Sequence, residues 1–169
     1  MSSIQTINRT LVIMKPDSIQ RRLTAPILAR FEGAGLEVAR VNIQQFGKPV
    51  FEEHYKHIRK KVVDPRIFHN VVAWMSSMPL WYIELKGENA AKIVKEMAGP
   101  TDPAKAPKGT IRGDFGIDTK EQADRELRAT YNLVHTSDPE NAERELKLFF
   151  DSIYRTRILI LGTVAGIFR

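Results

Sequence analysis

An α/β fold of the α+β sandwich kind, an antiparallel sheet covered by helices, is what the sequence predicts, and three observations predict it. Four apolar runs have strand length: Arg9–Lys15, Leu36–Gln45, Leu80–Leu85 and Leu133–His135. Segments with helical spacing lie between them, the clearest being Ala90, Ile93, Val94 and Met97 on one face. The pieces come in the order strand, helix, strand, further helices, strand, helix, strand. With helices on one face of the sheet, that is a ferredoxin-like βαββαβ arrangement.

Arg9–Lys15 is nearly continuous in apolar residues and stops at Pro16-Asp17, as a central, covered strand does. Lys15 stands at its C-terminal end, where α/β folds place ligand groups; a snorkelling lysine fits the position equally well. Thr24 can cap a helix through Pro26, Ile27, Leu28 and Phe31 that closes at Gly33 and Gly35. In the second strand the alternation changes phase between Leu36/Val38 and Val41/Ile43, which predicts a bulge. Pro49–Ser77 reads as two helices, one with Phe51, Tyr55 and Ile58, the other with Ile67, Val71 and Met75. His54 and His57, beside Glu52 and Glu53, sketch a metal pair that lacks any further clustered ligand. The helix after the third strand has Asn89 as its cap and Gly99 just past its end.

Residues 99–116 differ in kind. Pro100, Pro103, Pro107 and four glycines alternate with Thr101, Lys105, Lys108, Thr110 and Arg112, and Ile111 and Phe115 can anchor the segment. A basic, hydroxyl-bearing loop of this sort suits phosphate oxygens, and Arg112 can hold them bidentately. It is not a nucleotide P-loop, because no Gly-Lys-Ser/Thr opens a helix. Thr119–Tyr131 reads as a charged surface helix with Ala123, Leu127 and Tyr131 on its apolar stripe. Next, Leu133-Val134 forms a short strand that ends at His135. Ser137 or Asp138 then caps a helix from Pro139 to Phe150, which buries Ala142, Leu146, Phe149 and Phe150. Arg157–Val164 gives a terminal strand or tail.

A neutral imidazole delivered to a strand end can accept a phosphoryl group. Glu145, at the border of the last helix's apolar stripe, can hold one ring nitrogen and leave the other to attack. The same spacing also describes an ordinary strand-end histidine and a solvated glutamate, and spacing does not choose between them.

At 169 residues, with 43% apolar and 27% charged content, a single domain over 1–169 is expected, with an inserted helix near 118–131. The absence of cysteine excludes disulfides, thiolate metal ligands and a cysteine nucleophile. Residues 1–15 hold no long apolar segment, and Ile158–Phe168 is too short to cross a bilayer, so a cytoplasmic protein without membrane contact is expected. The net charge of +6 suggests an anionic partner, and small phosphorylated ligands satisfy it as well as nucleic acid does.

Three segments, Thr10–Asp17, Gly109–Gly116 and Asn132–Asp138, together resemble the nucleoside diphosphate kinase family, with His54-Tyr55 and Gly99–Pro103 at matching places. The resemblance runs from about Arg9 to Phe150. It implies an enzyme that transfers the γ-phosphoryl of a nucleoside triphosphate to its own histidine and then to a nucleoside diphosphate. Carried onto this chain, His135 is the nucleophile, Glu145 its orienting carboxylate, and Ser137 bridges the two. Lys15 contacts the phosphoryl and the sugar hydroxyl, Tyr55 helps fix the phosphoryl, and Asn132 binds the sugar. Thr101 and Arg112 hold phosphates, while Lys95 falls where the family has an arginine. Phe68 or Ile67 forms the wall on which the base stacks. Mg²⁺ arrives on the nucleotide phosphates with no metal site of the protein's own. A homo-oligomer, hexamer or tetramer, is implied, and no nucleic acid is required.

The chain departs from the family pattern in places. Ser18 and Arg22 replace glycines, and Thr136 follows the histidine where a small residue is usual. The 138–145 segment is short by a residue, and the stretches 116–132 and 55–79 are long. These departures motivate a second reading, a catalytically silent nucleotide-binding or protein-interaction relative. A nucleic-acid-binding domain of the same fold is disfavoured, because no strand shows the glycine-and-aromatic pattern that stacks bases.

Overall fold

The computed structural model describes residues 7–151. Four strands, β1 (Ile7–Met14), β2 (Glu37–Gln44), β3 (Leu80–Glu88) and β4 (Val134–Thr136), form one sheet in the order β2-β3-β1-β4. All three pairings are antiparallel, as the βαββαβ arrangement requires. The anticipated terminal strand near Arg157–Val164 lies outside the described residues.

Both faces of the sheet are covered, which corrects the expectation of helices on one face. Leu11 and Ile13 point into a core with Phe51, Phe68, Met75, Tyr82, Leu146 and Phe149. Val12 and Met14, alternating with them, point into a second core with Ile27, Phe31, Ile83, Val94 and Ile111. Side chains alternate along a strand, so a run buried on both faces must be apolar at every position. Leu11 to Met14 are all fully buried. The second core is closed by α2 (Thr24–Gly33) and α5 (Ala90–Ala98), preceded in the chain by the single turn α1 (Pro16–Gln20). The first is closed by α3 (Lys48–His54), α4 (Pro65–Met75) and, later, α8 (Ala142–Leu146).

Several element ends differ from expectation, each for a local reason. Pro16 does not stop the chain in extended form; it occupies the first turn of α1, where a missing N–H is harmless. Thr24 is the first residue of α2, and Leu23 stands at its cap without a side-chain bond. Asn89 occupies the cap position of α5 with φ 53° and likewise makes no cap bond. The bulge in β2 falls between Val38 and Arg40, and beyond it Val41 and Ile43 face outward. Of the two glycine replacements, Arg22 adopts φ 57°, whereas Ser18 sits within α1.

The 99–116 segment is ordered and holds a 3₁₀ turn (Pro103–Lys105) and α6 (Ile111–Phe115), whose start Thr110 caps by accepting from Gly113 N at 3.0 Å. The charged helix is shorter than 118–131: α7 spans Lys120–Arg125, capped by Thr119, and ends where Leu127 turns to φ 53°. The last helix begins at Ala142, with Asn141 rather than Ser137 or Asp138 at its cap, since Pro139–Asn141 is spent in a turn closed by Asn141 N to Asp138 O. A π-helical turn, Lys147–Asp151, follows. Among the described residues no helix is long and apolar enough to cross a membrane.

Gly113 marks the tightest backbone approach in this frame. A Cβ built there lies 1.9 Å from Pro107 O, so Gly113→Ala forces the 106–110 loop off α6. We expect a loss of about 1–3 kcal/mol in a urea titration, the usual cost of overpacking; an unchanged midpoint refutes this packing.

Candidate active site

The site grows from the end of β1. Lys15 N donates to Leu133 O at 2.9 Å, and Leu133 N donates to Asp17 Oδ2 at 3.0 Å, which pins Leu133 in its φ 71° turn. Arg112, 7% exposed, donates to the carbonyls of Gly99, Asn132 and Val134 at 2.5, 3.0 and 2.7 Å. Lys15 Nζ donates to Asn132 Oδ1 at 2.6 Å, and Asn132 Nδ2 to Thr101 O at 2.8 Å. Lys15, Gly99, Thr101, Arg112, Asn132 and Val134 line a cavity of about 420 Å³.

Two cations are therefore held with little water. Burial, then the like charge of Arg112, lowers the Lys15 ammonium to about 8, against the opposing pull of Asp17. Burial likewise brings Arg112 down to about 10 and pushes the Asp17 carboxyl up. Both cations still carry their charge at neutral pH, aimed at the same space.

His135 lies in β4, opposite Ile13 of β1. Its Nε2 is 2.7 Å from Glu145 Oε2, which also accepts from Ser137 Oγ at 2.5 Å. Burial raises the Glu145 carboxyl, but its bonds with His135 and Ser137 and the charge of Arg144 bring it below the usual carboxylate value. An ionised carboxylate only accepts, so Nε2 carries the proton and Nδ1 keeps a lone pair. The short 138–145 segment thus still delivers Glu145 to the ring.

His54 packs edge-on against His135, with centroids 4.4 Å apart, and its two ring nitrogens are buried without hydrogen bonds. Burial, then the neighbouring His135, holds it well below the usual histidine value, so it is neutral. The sketched His54/His57 metal pair is not formed: His57 Nδ1 contacts His54 O at 3.2 Å. Among the described residues His54 instead clusters with His135 and Glu145, which are bonded to one another.

Tyr55, Thr101, Lys95 and Asn132 all line the cavity with Lys15, Arg112 and His135. The Tyr55 hydroxyl is buried without a partner, and its pKa is raised, chiefly by burial. Lys95 lies at the rim in an ion pair with Asp138. Phe68 does not reach the cavity; it is buried in the core with the Arg59 guanidinium over its ring at 5.3 Å, and the adjacent Ile67 lines the cavity in its place. Lining groups that the sequence did not mark include Lys61, Val62, Val71, Lys120, Asp124 and Arg128. The basic run at 56–61 was the one available signal for the first of them.

A histidine with a carboxylate behind it, sharing a cavity with the buried Arg112 and the half-buried Lys15, is an arrangement suited to phosphoryl transfer on a ferredoxin-like sheet. Comparison with known proteins names the family. The family model for nucleoside diphosphate kinase matches residues 8–153. A nucleoside diphosphate kinase of Methanothermobacter thermautotrophicus is 37% identical over 146 residues, covering 86% of this chain and 88% of that protein. The crystal structure of an NDP kinase from Pyrobaculum aerophilum superposes with a TM-score of 0.76 at 34% identity, covering 86% of this chain and 96% of that one. A Borrelia burgdorferi nucleoside-diphosphate kinase, solved as a transition state mimic with vanadate and ADP, superposes with a TM-score of 0.81 at 26% identity over 88% and 89% of the chains. This chain belongs to the nucleoside diphosphate kinase family, whose members are phosphotransferases.

The buried charge at Lys15 has a stability consequence. The unfolded lysine titrates near 10.5 and the folded one near 8. Below pH 8 the folded state carries the full penalty, and stability rises as pH climbs from 8 to 10.5, because the unfolded chain then binds more protons. Lys15→Met should be about 1–2 kcal/mol more stable than the parent at pH 7, less than the shift alone implies because Asn132 loses a donor. The difference should shrink by pH 10 in denaturant titrations; a gap independent of pH contradicts the buried charge.

Proposed function

We propose that the protein is an active nucleoside diphosphate kinase in which His135 carries the phosphoryl group between nucleotides. The observation that carries this reading is the His135–Glu145 bond, with Lys15 and Arg112 lining the same cavity. In the first half-reaction the bond from the γ-phosphorus to its bridging oxygen breaks and a bond to His135 Nδ1 forms, with the diphosphate leaving. Nε2 keeps its proton, so the ring becomes cationic, and the Glu145 carboxylate stabilises that charge as it develops. The second half-reaction reverses these steps with another diphosphate. Lys15, Arg112, Thr101, Lys95 and Tyr55 hold the phosphates, and Asn132 sets the sugar beside Lys15. A loose phosphoryl transition state needs such positioning and fixed charge more than proton transfer.

Mg²⁺ fits this site as a companion of the nucleotide. The carboxylates lining the cavity, Asp124 and Asp138, already pair with Lys120 and Lys95, so the protein offers no oxygen cage. When bound, the ion neutralises charge on the phosphate oxygens. The substrates are nucleoside di- and triphosphates, and the cytoplasm, where these are pooled, is the proposed location. Val41 and Ile43, 44% and 54% exposed on the edge strand β2, support assembly into a homo-oligomer, a hexamer or tetramer.

Incubation with γ-labelled ATP should give an acid-labile phosphoenzyme that is absent in His135→Ala. Glu145→Gln should still label, with the rate constant reduced on the order of 10²-fold for want of the stabilising charge. Labelling of His135→Ala at the parent's rate removes the assignment.

A further inference from the structure

Rapid-quench kinetics can ask whether the α7 wall of the cavity reads the nucleobase. The transferred phosphoryl must reach His135, so the phosphates lie against Lys15 and Arg112 and the base lies at the other part of the cavity. Its apolar lining there, Ile67 and Val71 of α4 with Ala129, is the part that accepts a ring. The α7 segment is fastened to α4 beside this slot. Asn70 Nδ2 donates to Leu127 O at 2.7 Å, and the Tyr131 and Trp74 rings lie 5.0 Å apart. Its other end is fixed by Asp102 Oδ1, which accepts from Lys120 N at 3.0 Å. Arg128 lines the cavity, but its guanidinium is engaged by Asp118 through bonds of 2.6 and 3.0 Å.

That leaves Lys120 and Asp124, one helical turn apart, as a donor and an acceptor held side by side on the cavity wall. Asp124 Oδ2 takes the Lys120 ammonium; among the described residues Oδ1 accepts nothing. We propose that this pair reads the Watson–Crick edge of the base and favours guanine over uracil nucleotides. A carboxylate can only accept. Guanine presents N1–H and N2–H₂ to it, with O6 beside them for the ammonium. Uracil presents a single N–H flanked by two carbonyl oxygens, which repel the carboxylate. Such a pair discriminates because the wrong base leaves the carboxylate facing acceptors instead of donors, by a modest factor since the Lys120 side chain is 55% exposed. The proposal rests on the kinase reading above.

Phosphoenzyme prepared with ATP is isolated and discharged to GDP or UDP in separate rapid-quench experiments. The parent should transfer to GDP with a second-order rate constant about tenfold above that for UDP, a modest ratio for a site still reached by water. Asp124→Ala should bring the two close to parity, mainly by slowing GDP. Asp124→Asn, whose amide can donate to a carbonyl oxygen, should gain on UDP. Equal discharge to both diphosphates by the parent overturns the proposal, as does an Asp124→Ala variant that slows both by the same factor. A parent that takes no phosphate from ATP overturns the kinase reading instead, and this inference with it.

Discussion

The site depends on one guanidinium. Arg112 ties its own segment, α6, to two others: the carbonyl of Gly99 past the end of α5, and those of Asn132 and Val134 on either side of Leu133. Leu133 holds a left-handed φ of 71° that a branched side chain adopts only when its surroundings impose it. Asp17 takes the Leu133 N–H from one side while Arg112 takes the flanking carbonyls from the other. A planar fork with five N–H groups suits this task, and a lysine could not replace it. Three of the five are used on the backbone, which leaves two for an anion in the cavity. The same side chain is thus the pin of the loops and, in the function proposed, part of the phosphate wall.

That economy has an electrostatic cost. Lys15 and Arg112 sit close together with only Asp17 to offset them, and each titrates lower than it would in water. Such a pair does not stabilise the fold by itself; the multiply charged phosphate of the proposed function would offset it. Pre-aimed positive charge of this kind requires no reorganisation at the moment of transfer. The histidines divide the labour. His54, buried and neutral, packs against His135 without adding a positive charge of its own at the ring.

Much of the fold was legible because it rests on apolar pattern. β1 is apolar at every position since both faces are buried, and the phase change in β2 did mark a bulge. The residues at strand ends, Lys15 and His135, were legible for the same reason: strands this short fix where their ends fall. Of the pair Phe68 or Ile67 only Ile67 lines the cavity, because neighbouring apolar residues on α4 face different ways, and periodicity does not say which face meets a core and which a cavity. Helix starts at Pro16, Ile111 and Ala142 were missed or shifted: the Thr110 cap of α6 is local but sits inside a proline- and glycine-rich stretch that reads as loop, and the start at Ala142 is displaced by the turn that Asn141 N closes on Asp138 O. The left-handed turns at Leu127 and Leu133 gave no sign either. Nothing in a leucine announces positive φ, and tertiary bonds such as that from Asn70 to Leu127 O accompany it.

The last constraint concerns the orientation of His135, the proposed nucleophile. A single bond from Nε2 to Glu145 fixes one atom of the imidazole and leaves the ring free to swing about that bond. The plane is fixed by a column of rings. Tyr82 stacks on Phe149 at 4.9 Å, Phe149 meets His54 edge-on at 5.1 Å, and His54 meets His135 edge-on at 4.4 Å. Phe149 belongs to the π-helical turn that follows α8, and such wide turns are frequent at functional sites. The wider turn accommodates an inward Glu145 while Phe149 and Phe150 both remain buried. Hydrogen bond and aromatic column together remove the freedom that either alone would leave. A transfer whose rate is governed by in-line placement of a phosphorus atom needs both.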